Sequence, residues 1–184
     1  MIETERLVLR PPVADDLPWI LKYMNTAAVM RHLGGVRSPE AVAERFTSDI
    51  ATFAETGNGR WIAWLREENR RIGRCGLFRI VSEAAPEALR GLPEIGWTLT
   101  EDYWGQGYAS EAARSVLGFG FETLGHRAIV AQTSDSNTAS TRLMERLGFV
   151  RTPALDYVDP DYPAADNPTT VWRMVREAWG EARP

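Results

Sequence analysis

One stretch near the middle of the chain limits the possible folds more than any other. The pattern of residues 93–99 predicts a strand, and an apolar stripe of helical spacing that begins after Gly105 and Gly107 predicts a helix. Residues 128–133 then form an apolar run that is typical of a buried strand. Two strands joined through a helix usually lie parallel in one sheet, so this stretch predicts a crossover unit.

The segments on either side of this unit predict antiparallel strands. Residues 61–65 and 72–81 are strand-like and are joined by the polar segment 67–70, so they predict a hairpin. Further strands are expected at residues 6–10 and 169–176. The predicted fold class is therefore α/β (α+β in some schemes), with a mixed, mostly antiparallel sheet around a central parallel strand–helix–strand unit and helices on both faces.

Three further helices are expected outside the crossover. Residues 15–24 carry acidic residues before an apolar stripe, and Ser38-Pro39 supplies a cap residue followed by proline. Asn137 and Gly148 bracket the third helix, with Gly148 where a left-handed residue ends a helix. Prolines and aspartates between residues 153 and 168 predict a long acidic loop, which is either solvated or attractive to a cationic acceptor.

The composition narrows the class of protein and its location. The 184 residues suggest one domain, 1–184, and 21 basic against 25 acidic residues give a net charge of −4, which argues against bulk nucleic-acid binding. No apolar run reaches the roughly 18 residues of a membrane helix, and the acidic start does not resemble a signal peptide. With one cysteine, Cys75, and two histidines, no disulfide and no metal site are expected, and the expected location is the cytoplasm.

The turn before the central helix has the chemistry of an anion site. Side chains are small or absent at Gly105, Gly107 and Ala109, and the start of a helix exposes backbone N–H groups, so a pyrophosphate can approach the backbone. Ordinary turns also use glycines for their dihedral freedom. A P-loop is excluded because Tyr108-Ala109 follows the second glycine, and the Rossmann fingerprint lacks its third glycine at Ser110.

A second motif, one strand downstream, distinguishes between these alternatives. Residues 137–149 are Asn-Thr-Ala-Ser-Thr-Arg-Leu-Met-Glu-Arg-Leu-Gly-Phe. Together with the glycine turn, this segment resembles the two cofactor motifs of the GNAT superfamily of acyl-CoA N-acyltransferases. Residues 4–10, 29–34 and 171–177 are similar to its RimJ/RimL-type ribosomal-protein N-acetyltransferase branch, so the resemblance covers nearly the whole chain. Trp104 departs from the broad pattern, which has arginine or glutamine there.

The resemblance implies a GNAT-type sheet and acetyl-CoA as co-substrate. The pyrophosphate would lie on the backbone of residues 105–109, and the pantetheine arm would pair like an added strand with residues 97–99, where a backbone N–H would polarise the thioester carbonyl. Arg142 would meet the 3′-phosphate, unless it is a solvated surface charge. The residues that the resemblance implies for cofactor binding are Trp97, Thr98, Leu99, Trp104, Gly105, Gln106, Gly107, Tyr108, Ala109, Ser110, Asn137, Ser140 and Arg142.

The resemblance also implies catalytic roles for Ser140 and Glu94. Ser140 would donate to the departing CoA sulfur, although it could instead help Asn137 to cap the helix. Glu94 would deprotonate the amine, although it could instead be a strand carboxylate paired with Arg74 or Arg79. The weaker candidates for the base are His32 and Tyr157.

These features predict an acyl-CoA-dependent N-acetyltransferase. The branch resemblance favours a primary amine as acceptor, in particular a protein or peptide N-terminal α-amine. The alternatives are a small-molecule amine, such as a polyamine, an aminoglycoside or an amino acid, and a non-catalytic acyl-CoA-binding module. Neither a nucleic-acid nor a membrane partner is expected, and a homodimer would be consistent with the branch.

Overall fold

Eight strands form one sheet in the computed structural model, which describes residues 1–181. The strands follow the order β1-β2-β3-β4-β5-β6-β8-β7 across the sheet. Their bounds are β1 Ile2–Glu3, β2 Leu7–Arg10, β3 Arg60–Leu65, β4 Arg70–Arg79, β5 Pro93–Leu99, β6 Ala128–Ser134, β7 Val150–Arg151 and β8 Thr169–Val175.

The directions of the strands confirm the predicted mixed sheet. Strands β5 and β6 are parallel, with Glu94 opposite Val130, and the segment that connects them contains a helix at Tyr108–Gly118. The pairs β1–β2, β2–β3, β3–β4, β6–β8 and β7–β8 are antiparallel. The predicted hairpin is β3–β4, and its turn contains Asn69 in a left-handed conformation. The fold class predicted from the sequence is therefore correct.

The helices also lie where the pattern predicts them, with one additional helix after β8. The α-helices are α1 Leu17–Trp19, α2 Pro39–Thr56, α3 Tyr108–Gly118, α4 Thr138–Leu147 and α5 Arg176–Glu181. A 3-10 turn, Ala14–Asp16, precedes α1, and π-helical segments, Ile20–Met24 and Phe119–Thr123, continue α1 and α3. Neither β1 nor α5 was predicted, and Arg176, which the sequence predicted as the end of a strand, begins α5.

Capping chemistry explains the bounds of α2 and α4. Ser38 accepts a hydrogen bond from the Ala41 backbone N–H at 3.2 Å, and Pro39 occupies the first helical position. Gly57 ends α2 with φ at +68°, and Gly148 ends α4 with φ at +91°. Both helices therefore begin and end at the residues that the sequence indicated.

The chain divides into two compact units, each with its own core. The first comprises residues 1–77 and 96–116, and the second comprises residues 78–95 and those from Leu117 onward. The core residues of the first unit include Ile20, Met24, Val29, Phe46 and Ile62. The core residues of the second include Ile80, Ala85, Leu89, Val130 and Val171. The expectation that residues 1–184 form a single domain remains a prediction.

A buried carboxylate joins three segments of the first unit. Asp16 is fully buried and accepts hydrogen bonds from the Val13 backbone N–H at 2.9 Å, from Arg71 at 2.8 Å and from both terminal nitrogens of Arg10. Burial by itself would raise the pKa of Asp16, but these donors lower it below its ordinary value. The ionised side chain therefore ties the start of the first helical segment to β2 and β4.

The acidic loop of the second unit is solvated only in part, since Asp161 is exposed whereas other aspartates are not. Asp159 and Asp166 are buried rather than solvated, and Asp166 accepts a hydrogen bond from Ser136 at 2.5 Å. Asp156 pairs with Arg151 through contacts of 2.5 and 2.7 Å. These three carboxylates accept hydrogen bonds from groups of the same unit instead of from water. They therefore organise the loop and do not form an exposed surface for a cationic acceptor.

Two kinds of feature are absent from residues 1–181. No helix there is both long enough and apolar enough to span a bilayer. The same residues contain no group of three or more histidine, cysteine, aspartate or glutamate side chains placed to hold a metal ion.

Candidate functional site

The turn that leads into α3 is an exposed backbone loop. Gly105 and Gly107 both have positive φ, at +73° and +84°, so the chain adopts here a conformation that favours glycine. Both glycines and the Gln106 between them are exposed, and α3 begins at Tyr108. The loop is thus exposed at two glycines that carry no side chains, and the first N–H groups of a helix have no partner within the helix.

Two side chains of the loop stabilise the loop itself. Trp104 Nε1 donates to the carbonyl oxygen of Leu99 at 2.8 Å, which ties the loop to the end of β5. Gln106 Nε2 donates to the carbonyl oxygen of Asp102 at 2.7 Å. The tryptophan that replaces the polar residue of the broad pattern therefore anchors the loop, while its side chain is still 49% exposed.

Arg6, in the bend before β2, reaches this loop from the N-terminal part of the first unit. Its Nη1 donates to the carbonyl oxygen of Gln106 at 3.1 Å, and its guanidinium lies 4.4 Å from the ring centre of Tyr108. A Cβ atom placed on Gly107 would lie 3.3 Å from Nη2 of Arg6. A positive charge therefore stands beside the exposed peptides of the loop.

Glu111, in the first turn of α3, holds Arg6 in place. One carboxylate oxygen accepts from Arg6 Nε at 2.6 Å, and the other accepts from the Arg6 backbone N–H at 2.9 Å and from the Thr4 hydroxyl at 2.6 Å. Burial would raise the pKa of Glu111, but the donors on Thr4 and Arg6 lower it, so the carboxylate stays ionised. The Arg6–Glu111 pair is not predicted from the sequence, in which its signals are the Thr4–Arg10 segment and an acid near the start of a helix.

The last residues of β5 lie very close to β4. A Cβ atom on Gly73 would lie 2.3 Å from the carbonyl oxygen of Thr98, so glycine is required there for the two strands to approach. The Thr100 N–H donates to the carbonyl oxygen of Ile72 at 2.9 Å, just beyond the strand end. Trp97 and Thr98 are half-buried, and this strand end belongs to the same unit as the glycine loop.

The second unit contains the other predicted cofactor residues, at the start of α4. Asn137 Oδ1 accepts from the Ser140 backbone N–H at 3.2 Å, so the asparagine side chain caps the helix. The Ser140 side chain takes no part in that cap, and its hydroxyl makes no hydrogen bond to any residue within 1–181. Ser140 is half-buried and Arg142 is exposed. The hydroxyl is thus available to a ligand.

Glu94 lies near the start of β5 and is half-buried. The two arginines considered as its partners make other contacts. Arg74 donates to Asp49 at 2.5 Å, and Arg79 donates to the carbonyl oxygen of Gly91 at 2.6 Å. Arg74 and Arg79 are thus engaged by Asp49 and by a backbone carbonyl, respectively.

Tyr157, in the same unit, retains its proton. Its hydroxyl donates to Gln132 Oε1 at 2.8 Å. Burial raises the pKa of Tyr157 far above its ordinary value, and the negative charges of Asp159 and Glu94 raise it further. The tyrosine is therefore unsuitable as a general base, and Glu94 is the stronger candidate of the two.

Comparison with known proteins assigns the chain to a family. Residues 6–150 match the family model of the acetyltransferase (GNAT) domain. The matched stretch is well over half of the chain and contains both the glycine loop and the start of α4. The chain belongs to the GNAT acetyltransferase family. It is therefore an acyl-CoA-dependent N-acetyltransferase with acetyl-CoA as co-substrate.

Individual GNAT relatives agree with this assignment. An uncharacterized N-acetyltransferase of Bacillus subtilis (strain 168), YoaA, is 32% identical over 153 residues, which are 81% of this chain and 82% of the relative. The crystal structure of the acetyltransferase from Agrobacterium tumefaciens str. C58 has a TM-score of 0.77 at 30% identity, covering 94% of this chain and 92% of that one. The aminoglycoside acetyltransferase AAC(6')-Ib in complex with coenzyme A has a TM-score of 0.79 at 20% identity, covering 97% and 99%, and shows likeness of fold alone.

The glycine loop suits the anionic part of the GNAT co-substrate. Its two glycines leave backbone N–H groups accessible, the start of α3 carries the positive end of the helix dipole, and the Arg6 guanidinium lies alongside. Acetyl-CoA itself supplies an activated acetyl thioester. The mostly antiparallel GNAT sheet also excludes the Rossmann alternative, which requires a doubly wound parallel sheet.

Proposed function

We propose that this GNAT enzyme acetylates the α-amine of a protein or peptide N-terminus. The observation that carries the proposal is the nature of the candidate base. Glu94, at the start of β5, is a carboxylate, and Tyr157, whose pKa it helps to raise, keeps its proton. A carboxylate is a modest base for an ammonium group, so it serves best an acceptor that is already partly neutral.

The ionisation of amines then separates the candidate acceptors. An α-amine has a pKa near 8, so roughly a quarter of it is neutral at about pH 7.5, whereas lysine, with a pKa near 10.4, is neutral in about one molecule per thousand. The similarity of residues 4–10, 29–34 and 171–177 to the RimJ/RimL-type branch supports the same acceptor. A cytoplasmic location and a homodimer stay predictions from the sequence.

In this proposal the first unit binds the co-substrate. The backbone of residues 105–109, with Ser110 nearby, holds the pyrophosphate at the start of α3. The end of β5, residues 97–99, pairs with the pantetheine arm as an added strand would, and one of its N–H groups polarises the thioester carbonyl. Trp104 and Gln106 contribute by holding the loop in shape, through the contacts to Leu99 and Asp102.

Glu94 and Ser140 are the residues that we propose to handle protons. Glu94 accepts a proton from the acceptor amine, directly or through water. Ser140 donates a hydrogen bond to the departing sulfur, and Asn137 keeps the first turn of α4 in place so that the serine is held. Arg142, an exposed residue of α4, is the contact that we propose for the 3′-phosphate.

An acceptor panel tests the proposed function. With acetyl-CoA and thiol release as the readout, short peptides with free N-termini are expected to have the highest kcat/KM. N-blocked peptides that contain lysine, polyamines, aminoglycosides and free amino acids are expected to be slower, because their amines are more fully protonated or lack a peptide to bind.

Two outcomes would contradict this proposal in different ways. If a polyamine or an aminoglycoside exceeds every peptide by about tenfold or more in kcat/KM, the acceptor is a small amine. If acetyl-CoA raises the melting temperature but no acceptor releases CoA, the chain is an acyl-CoA-binding module.

The role of Glu94 predicts a change in the pH profile. At low pH, both the amine and Glu94 must lose a proton, so log kcat/KM should rise with a slope of about two. Glu94→Gln removes one of these ionisations, and the slope should fall to about one, from the amine alone. Glu87→Gln, an exposed glutamate in the same unit, is the control and should keep the wild-type profile. An unchanged slope in Glu94→Gln would assign the base to another group.

A further inference from the structure

We propose that Arg6 is a positioning residue that aims the Gly107 N–H at the pyrophosphate of acetyl-CoA. The inference rests on the proposed pyrophosphate site at residues 105–109. Arg6 lies about a hundred residues before that loop in the sequence, yet it donates to the Gln106 carbonyl at 3.1 Å and covers the ring of Tyr108. It therefore contacts residues on both sides of Gly107.

The geometry of the peptide bond explains how a contact at Gln106 acts on Gly107. In a planar trans peptide, the C=O of one residue and the N–H of the next point in opposite directions. Because Arg6 binds the Gln106 carbonyl, the Gly107 N–H must point away from Arg6. One hydrogen bond to the carbonyl thus fixes the direction of the donor on the other edge of the peptide.

The glycines make such a constraint necessary. Gly105 and Gly107 lie on either side of Gln106, and glycine has the widest range of backbone dihedrals. Without Arg6, the peptide between Gln106 and Gly107 could rotate, and its N–H would lose the direction that a phosphate oxygen requires. Holding it in advance reduces the entropy lost on binding.

The surroundings of Arg6 favour this geometric role over simple charge attraction. Glu111 accepts from both Arg6 Nε and the Arg6 backbone N–H, so an ionised carboxylate offsets the charge of the guanidinium. The planar guanidinium can bind Glu111 through Nε and Gln106 through Nη1 at the same time. A lysine would keep the charge but has one compact ammonium, which cannot hold both partners in this arrangement.

The decisive experiment compares two acetyl donors in Arg6→Lys. Acetyl-CoA contains the pyrophosphate and the 3′-phosphoadenosine, and acetyl-pantetheine has the same thioester without either. Arg6→Lys is expected to raise KM for acetyl-CoA about tenfold with little change in kcat, because one charge-assisted hydrogen bond is lost. The kcat/KM for acetyl-pantetheine should stay at the wild-type value.

Arg66→Lys is the matched control. The Arg66 side chain is 41% exposed, against 42% for Arg6, and it also pairs with a glutamate, Glu3, in the N-terminal segment. It donates to the carbonyl oxygen of Leu7 at 3.3 Å rather than to the loop. Arg66→Lys should leave kcat/KM unchanged for both acetyl-CoA and acetyl-pantetheine. If Arg6→Lys is poorly folded, Glu111→Gln, which keeps one of the two acceptor oxygens and loses the charge, should shift KM for acetyl-CoA in the same direction.

The outcomes separate this inference from the proposed function. If wild-type protein uses acetyl-pantetheine as well as acetyl-CoA, the pyrophosphate site itself is misplaced. If wild-type protein prefers acetyl-CoA and Arg6→Lys keeps that preference, only the role of Arg6 is wrong. If Arg6→Lys lowers kcat/KM equally for acetyl-CoA and acetyl-pantetheine, Arg6 supports the fold and does not orient the N–H group that binds the phosphate.

Discussion

Replacement of Gly107 by aspartate is expected to abolish the rise in melting temperature that acetyl-CoA gives to the wild-type protein. A saturating ligand stabilises the native state by about 2.7 kcal/mol at a hundred times its Kd, so the wild-type shift is readily measured. An aspartate at this position has its Cβ 3.3 Å from Arg6 Nη2 and a φ of +84°. Its carboxylate would pair with Arg6 and place a negative charge where the pyrophosphate is proposed to bind.

Gly35→Asp is the control that separates this charge effect from backbone strain. Gly35 has nearly the same φ, +85°, and a Cβ there meets no atom within 4 Å. Both variants therefore carry comparable backbone strain at positive φ and the same added charge, and both should lower the melting temperature without ligand. Only Gly107→Asp should lose the shift with acetyl-CoA. A full shift in Gly107→Asp would place the pyrophosphate elsewhere in the molecule.

Elements with local signals could be predicted from the sequence. Ser38-Pro39 and Gly57 define the ends of α2 through a side-chain cap and a left-handed residue, which depend on neighbours in the chain. Strand β1 is different, because Ile2 and Glu3 become a strand only by pairing with residues of β2. Such pairing has no signal in two residues. Arg176 was misassigned because the alternation of β8 continues into it, although the chain turns there into α5.

The site shows the same division between local and distant information. The glycine loop is visible in the sequence because its dihedral requirements demand glycine at particular positions. The Arg6–Glu111 pair joins residues 105 positions apart, and either charge alone is typical of a solvated surface. Asp159 and Asp166 were misjudged for a related reason. Aspartates in a proline-rich segment predict a solvated loop, and only the fold shows that the two carboxylates are buried.

Ser140→Ala is expected to lower kcat about a hundredfold, which corresponds to about 2.7 kcal/mol of transition-state stabilisation. Charge develops on the sulfur as the thioester breaks, so a hydrogen bond to sulfur is stronger in the transition state than in the bound co-substrate. The helix cap should survive the substitution, because the Asn137 side chain accepts from the backbone N–H of residue 140, which alanine retains. Acetyl-CoA affinity and the melting temperature should therefore stay near their wild-type values.

Thr141→Val is the matched control for the loss of a hydroxyl in the first turn of α4. The Thr141 hydroxyl donates to the carbonyl oxygen of Thr138 at 3.1 Å and is thus satisfied within the helix. Its removal should leave kcat unchanged, whereas the Ser140 hydroxyl has no such partner among residues 1–181. Single-turnover measurements would show whether the chemical step has slowed. If Ser140→Ala instead raises the Kd of acetyl-CoA and keeps kcat, the hydroxyl contributes to binding of the thioester but not to its cleavage. An interaction of equal strength in the bound co-substrate and in the transition state cannot change the barrier between them.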